Sequence, residues 1–179
     1  MNGWCGYEMR TVGTRENLQK LERIMNNKES IHMDGIHYAE SYDIKKMNDQ
    51  LYIGSFCGEC TKSVYFSMVE GEGCFYPGRI NGTSLVELSK ELDLKIEIYS
   101  IEPVERFEEH YFIKDGKCIV KEKKEYEEYS ANEKDLTKEQ LEEISRMEIS
   151  DAQYDEYQKI GSFTIGGFDV WNFQYIKYK

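Results

Sequence analysis

Residues 6–101 read in chain order as strand, helix, two strands joined by a tight turn, helix and strand. That order constrains the chain more than any other feature. It predicts an α+β fold of ferredoxin-like βαββαβ topology, with an antiparallel sheet carrying two helices on one face. Folds of this kind host many unrelated functions, so chemistry has to be sought in individual side chains.

The segments behind this reading carry local signals. Tyr7–Val12 alternates, and Gly13-Thr14 then offers a turn and an N-cap. Leu18, Leu21 and Met25 follow at helical spacing, which predicts an amphipathic helix over 15–26 ended by Asn26-Asn27. Gln50–Cys57 and Cys60–Met68 read as paired strands, with Gly58-Glu59 as a type II′ turn. Residues 28–48, with a short strand around Tyr42–Ile44, then read as an insertion. Gly71, Gly73, Pro77, Gly78 and Gly82 mark 70–83 as a loop. Ser84 with Glu87 forms a capping-box pattern ahead of Leu85, Leu88 and Leu92, and Leu94–Ile101 closes the motif as a strand.

Beyond that motif, Asp115-Gly116 predicts a hairpin between His110–Ile113 and Cys118–Lys121. Thr137 and Gln140 cap a third helix whose stripe includes Leu141 and Ile144. Trp171, Phe173 and Tyr175 alternate with Asn172 and Gln174 in an aromatic tail from Ser162 onward, expected as a C-terminal strand or hairpin. The predicted organisation is a ferredoxin-like domain over 1–128 with the 28–48 insertion, and a helix and strand extension over 129–179 packed on the same domain.

Charge narrows the partners. Thirty-four acids against twenty-three bases give a formal charge of −11, which disfavours general attraction to nucleic acid or anionic lipid and favours basic protein surfaces. Five cysteines, an odd number, with no apolar leader pattern predict a cytoplasmic protein with reduced thiols. No apolar run is long enough to predict a membrane span.

Asn2-Gly3-Trp4-Cys5 ahead of the first strand resembles the Asn-Trp-Cys opening of the YubB ferredoxin-like domain family of phages, plasmids and other mobile elements. Thr61-Lys62 matches that family's Asn-Trp-Gly-Thr-Lys-Trp stretch, and Leu85–Glu102 with Lys114-Asp115-Gly116-Lys117 resembles its second helix, following strand and hairpin. The resemblance implies a ferredoxin-like fold and a mobile-element protein acting inside a bacterial host. It implies no activity, cofactor or catalytic residue.

Cys57-x-x-Cys60 is the sharpest chemical lead. Two cysteines flanking a tight turn can present both sulfurs to one zinc ion, with Cys5 and Cys74 completing the site if the glycine loop folds back, and His32, His37 and His110 as weaker options. The plainer reading is a pair of small apolar residues closing a hairpin. A redox role fits less well, because such a motif belongs at a helix N-terminus. Gly71-Glu72-Gly73-Cys74 lacks the Lys-Ser/Thr ending of a phosphate-binding loop. His32, Asp34 and His37 have no nucleophile motif beside them, so no catalytic residue is assigned.

Candidate partner-binding acids are Glu105, Glu108, Glu109, Glu127, Glu128, Glu139, Glu142 and Glu143, a tract that either is a solvated face or complements a basic groove. Tyr52, Tyr65, Phe66 and Tyr99 are the aromatics an open sheet could offer to RNA bases, though without a basic surround. The function expected from these readings is a non-enzymatic mobile-element binding protein, an anti-defence inhibitor of a host nuclease such as a CRISPR effector. A nucleic-acid-binding module using the sheet face is the alternative, and a small zinc-dependent enzyme the third.

Overall fold

The computed structural model describes residues 4–31, 33, 35–69, 82–130, 162–168 and 170–178. Along them run β1 (Trp4–Gly13), α1 (Arg15–Met25), β2 (Ile36–Lys46), β3 (Tyr52–Thr61), a π-helical turn (Tyr65–Val69), α2 (Leu85–Glu91), β4 (Lys95–Glu102), β5 (Phe107–Lys114), β6 (Lys117–Ser130) and β7 (Ser162–Gly166). The backbone divides into two compact units, residues 1–123 with 170–179, and residues 124–169. The division therefore falls inside β6 rather than after residue 128, and the C-terminal segment belongs to the first unit. No described helix is long and apolar enough to cross a membrane.

The first unit is α+β. Its antiparallel sheet has the order β2-β3-β1-β4-β5, with the start of β6 beside β5. Thr14 caps α1 by accepting from the Asn17 amide at 3.2 Å, and Glu16 and Arg23 complement the helix dipole at its two ends. Asn26 then ties the end of α1 to β2, donating to the Ala39 carbonyl at 2.7 Å and accepting from the Ala39 amide at 3.3 Å. The capping box of α2 is present, with reciprocal bonds of 3.1 and 3.2 Å between Ser84 and Glu87. Leu18, Leu21, Ile24, Leu85 and Leu88 are buried on the sheet's helix side against Met9, Phe56, Ile96, Ile98 and Ile113. Each such leucine contributes about 1.5–3 kcal/mol by leaving water.

The central hairpin is not where the sequence places it. Cys57–Cys60 contains no turn: β3 runs unbroken through Gly58-Glu59, pairing with β1 on one side and β2 on the other. Its hairpin partner is β2, which occupies much of the supposed 28–48 insertion. The turn between them lies at 47–51, where the Asn48 side chain accepts from the Gln50 and Leu51 amides at 2.9 and 2.8 Å. Two register shifts, at Ile36/Tyr38 and Ser41/Asp43, break the alternation of β2 and hide it from a period-two reading. Residues 65–69 form the π-helical turn instead of continuing a strand.

The Asp115-Gly116 hairpin is present, both residues at positive φ of 53° and 70°, as a two-residue turn between β5 and β6 demands. In the second unit, the Tyr126–Ser130 part of β6 pairs antiparallel with β7. The glycine loop, Cys74 and the third helix with Glu139, Glu142 and Glu143 lie outside the described residues.

Candidate functional site

Among the described residues, the sheet face away from the helices divides into a covered and an uncovered part, and the C-terminal segment makes the division. Residues 170–178 are not a strand. They are held instead by side chains of β1, β4 and β5. Glu97 on β4 is fully buried, and its carboxylate accepts three consecutive backbone amides, from Gln174 at 2.9 Å, Tyr175 at 3.0 Å and Ile176 at 2.8 Å. Arg10 donates to the Ile176 carbonyl at 3.1 Å while its guanidinium lies over the Phe173 and Tyr178 rings. Tyr99 donates to the Asn172 carbonyl at 3.0 Å, and Trp171 donates to Glu108 at 3.2 Å. Ile176 fills the space over Val12 and Ile53. The expected C-terminal strand thus resolves into β7 and a strap whose amides are satisfied by a carboxylate rather than by a neighbouring strand.

Strap and sheet meet at His110 on β5. This ring is buried and stacks on Tyr99, with centroids 4.0 Å apart. One nitrogen lies 3.0 Å from Glu97 and the other 2.7 Å from Glu122 on β6. Burial disfavours the imidazolium, but the hydrogen bonds and charges of Glu97 and Glu122 outweigh it and raise the His110 pKa above the ordinary histidine value. Such a group stabilises fully below its unfolded pKa, about 6.5, and loses that contribution as pH climbs through the higher folded value. The strap should therefore loosen on raising pH, because a neutral imidazole can donate to only one of its two carboxylates. Amide exchange at Gln174–Ile176, corrected for intrinsic rates, should show protection falling above about pH 6.5, and the fall should start at lower pH in Glu122→Gln. Protection independent of pH would contradict this.

Covering removes Tyr99 from the set offered to bases, since it is 3 % exposed; burial and then Glu97 push its phenol up to about 12.

Among the described residues, the uncovered part of the same face lies on β2, β3 and β1, and Tyr178 of the strap reaches Ser55 of β3 and Lys45 of β2. Glu8, Cys57 and Glu40 form one row across these strands, and Glu59 and Tyr38 lie in the next. Tyr38, Tyr42 and Trp4 are 44 %, 59 % and 53 % exposed, and Trp4 stacks on His37 at 4.4 Å. Aromatic area interleaved with carboxylates is therefore presented on one sheet face. Tyrosine and tryptophan offer large contact areas at small entropic cost, which is why interfaces favour them.

The nominated residues scatter. Cys57 is half-buried on the open face, whereas Cys60, three residues along the strand, is fully buried on the helix side opposite Cys5. Two sulfurs on opposite faces of one strand cannot form the turn-based knuckle. Burial, then Glu40 and Glu8, raises the Cys57 thiol pKa, and the Cys5 contact and burial raise that of Cys60. Among the described residues no group of three or more potential ligands is placed to hold a metal ion. Glu109 is buried and accepts from Tyr111 at 2.9 Å and Ser100 at 3.3 Å, so it is no surface acid. Glu105 is exposed in the β4–β5 turn, Glu108 is engaged by Trp171, and Glu127 and Glu128 are exposed on β6 in the second unit.

Sequence reasoning missed Glu97 and the Glu8–Glu40–Glu59 group. An acid inside the apolar run Leu94–Ile101 was the available signal for the first. The second needed the β2–β3 register. Comparison with protein-family models, curated proteins and solved structures finds no match to this chain.

Proposed function

We propose that the chain is a non-enzymatic binding protein of ferredoxin-like topology that engages a basic protein partner through the uncovered part of its sheet face. The strand order β2-β3-β1-β4, with α1 and α2 in the two crossovers, supports the topology. One observation carries the functional reading: Trp4, Tyr38 and Tyr42 stand exposed among Glu8, Glu40 and Glu59 on a single sheet surface. Aromatics of this kind supply affinity at an interface, and carboxylates supply steering and selectivity for a cationic surface. The resemblance to mobile-element proteins gives the partner a class, a nucleic-acid-processing enzyme of a bacterial host such as a CRISPR nuclease, whose substrate channel is basic. In this reading the acids of β1, β2 and β3 take the role first assigned to the Glu105–Glu143 tract. Tagged protein should retain such an enzyme from host extract, with retention falling as ionic strength rises. Failure to associate with any nucleic-acid-processing complex would sink the reading.

A further inference from the structure

The helix side of the first unit's sheet holds a cavity of about 760 Å³ between the π-helical turn, the β4–β5 turn and the start of β6. Its walls are mainly aromatic and apolar, formed by Tyr65, Phe66, Val104 and Phe107. Phe66 and Val104 are 43 % and 61 % exposed, so apolar surface at this opening remains in contact with solvent. Volume and lining both match what a small organic ligand requires.

The charges around the cavity are distributed unequally. Lys62, Lys121 and Lys123 all line it, and among the described residues none of the three forms an ion pair. Two of the ammonium groups are held by rings: Lys121 lies 3.7 Å from the Tyr65 centroid and Lys123 3.6 Å from the Phe107 centroid. The carboxylates deeper in the lining are already engaged. Glu109 is bonded by Tyr111 and Ser100; burial raises its pKa, and those hydrogen bonds and the nearby Lys123 act in the opposite direction. Glu102 is buried and accepts from the Glu105 backbone amide. Glu105 itself is exposed and lines the opening. Positive charge is thus available to a ligand, while most of the negative charge is spent on the protein.

We infer that this cavity binds a small organic anion with a flat apolar body, its ring system lodged among Tyr65, Phe66 and Phe107 and its anionic oxygens meeting Lys121 and Lys123. Carboxylate, sulfonate and phosphate share the required chemistry, an oxyanion on an aromatic frame. The site lies on the opposite side of the sheet from the partner surface and does not depend on it.

Two fluorescent dyes that differ in one group test the inference. Anilinonaphthalene sulfonate carries the anion, and N-phenylnaphthylamine is its neutral counterpart. The sulfonate dye should bind saturably, with one site per chain and more tightly than the neutral dye. The double variant Lys121→Gln with Lys123→Gln should weaken the sulfonate dye by about tenfold or more while changing the neutral dye by less than about twofold, because only the charge-assisted bonds are lost. Phe66→Ala should weaken both, and Glu105→Gln should strengthen the sulfonate dye alone. Unchanged binding of the neutral dye to the double variant also reports that the cavity is still folded. No saturable sulfonate binding, or equal loss of both dyes in the double variant, would overturn the inference.

Discussion

Glu97→Ala should lower the free energy of unfolding by about 3–5 kcal/mol, the range seen when one member of a buried charged network is removed. The substitution strips acceptors from the Gln174, Tyr175 and Ile176 amides and from His110 in one step. Ile176 and His110 are buried, so water reaches their donors only if the strap lifts. Denaturation in urea reads the stability, and amide exchange at 174–176 reads the strap. Glu97→Gln should also destabilise, by about 1–3 kcal/mol, since its amide nitrogen would face backbone donors. A loss below about 1 kcal/mol for Glu97→Ala would mean that the strap is held by its aromatic contacts, with the carboxylate contributing little.

Gly58→Val should cost about 3 kcal/mol or more, or prevent folding. Glycine is a poor strand residue, yet here the Tyr7 ring from β1 crosses β3 at Gly58 to donate to the Tyr38 carbonyl of β2 at 3.3 Å. A Cβ at position 58 would collide with both the Tyr7 hydroxyl and that backbone carbonyl, and the carbonyl cannot move without disturbing the β2–β3 ladder. Gly6→Ala supplies the control. A Cβ there would approach nothing closer than 3.9 Å, so the substitution should be neutral or slightly stabilising in the same urea titration. Equal effects at the two glycines would remove the crossing tyrosine as the reason for Gly58.

These two positions also show what could and could not be read from the chain. Thr14, the Ser84–Glu87 box and Asp115-Gly116 act within a few residues of themselves, and each stands where local rules put it. Gly58-Glu59 has the composition of a turn, but its glycine is required by a tyrosine fifty-one positions earlier in the chain. A turn at Gly58-Glu59 would leave β2 as an insertion, and the two bulges of β2 hide its alternation. The strap has a similar cause. Alternation of Trp171, Phe173 and Tyr175 predicts a strand or hairpin, whereas the segment is a strap with Phe173 buried and Tyr175 exposed, and periodicity does not reveal that its amides are answered by Glu97, seventy-seven to seventy-nine residues away. The acidic tract misled for a further reason. Counting carboxylates does not distinguish buried Glu109 from exposed Glu105, and the acids that share a surface with exposed aromatics come from three separate strands.

In the proposed function, the uncovered sheet face recognises a basic partner. The most direct measurement of this is quantitative retention of host proteins by the wild-type chain and by a triple variant, Glu8→Lys, Glu40→Lys and Glu59→Lys, at low and high salt. The side chains of Glu8 and Glu40 are exposed and that of Glu59 is half-buried on the open face, so the variant should keep its fold, checked by an unchanged urea midpoint. The account predicts a nucleic-acid-processing protein enriched by the wild type and retained about tenfold less, or worse, by the variant and at high salt. Retention that is the same for both chains at every ionic strength would contradict it.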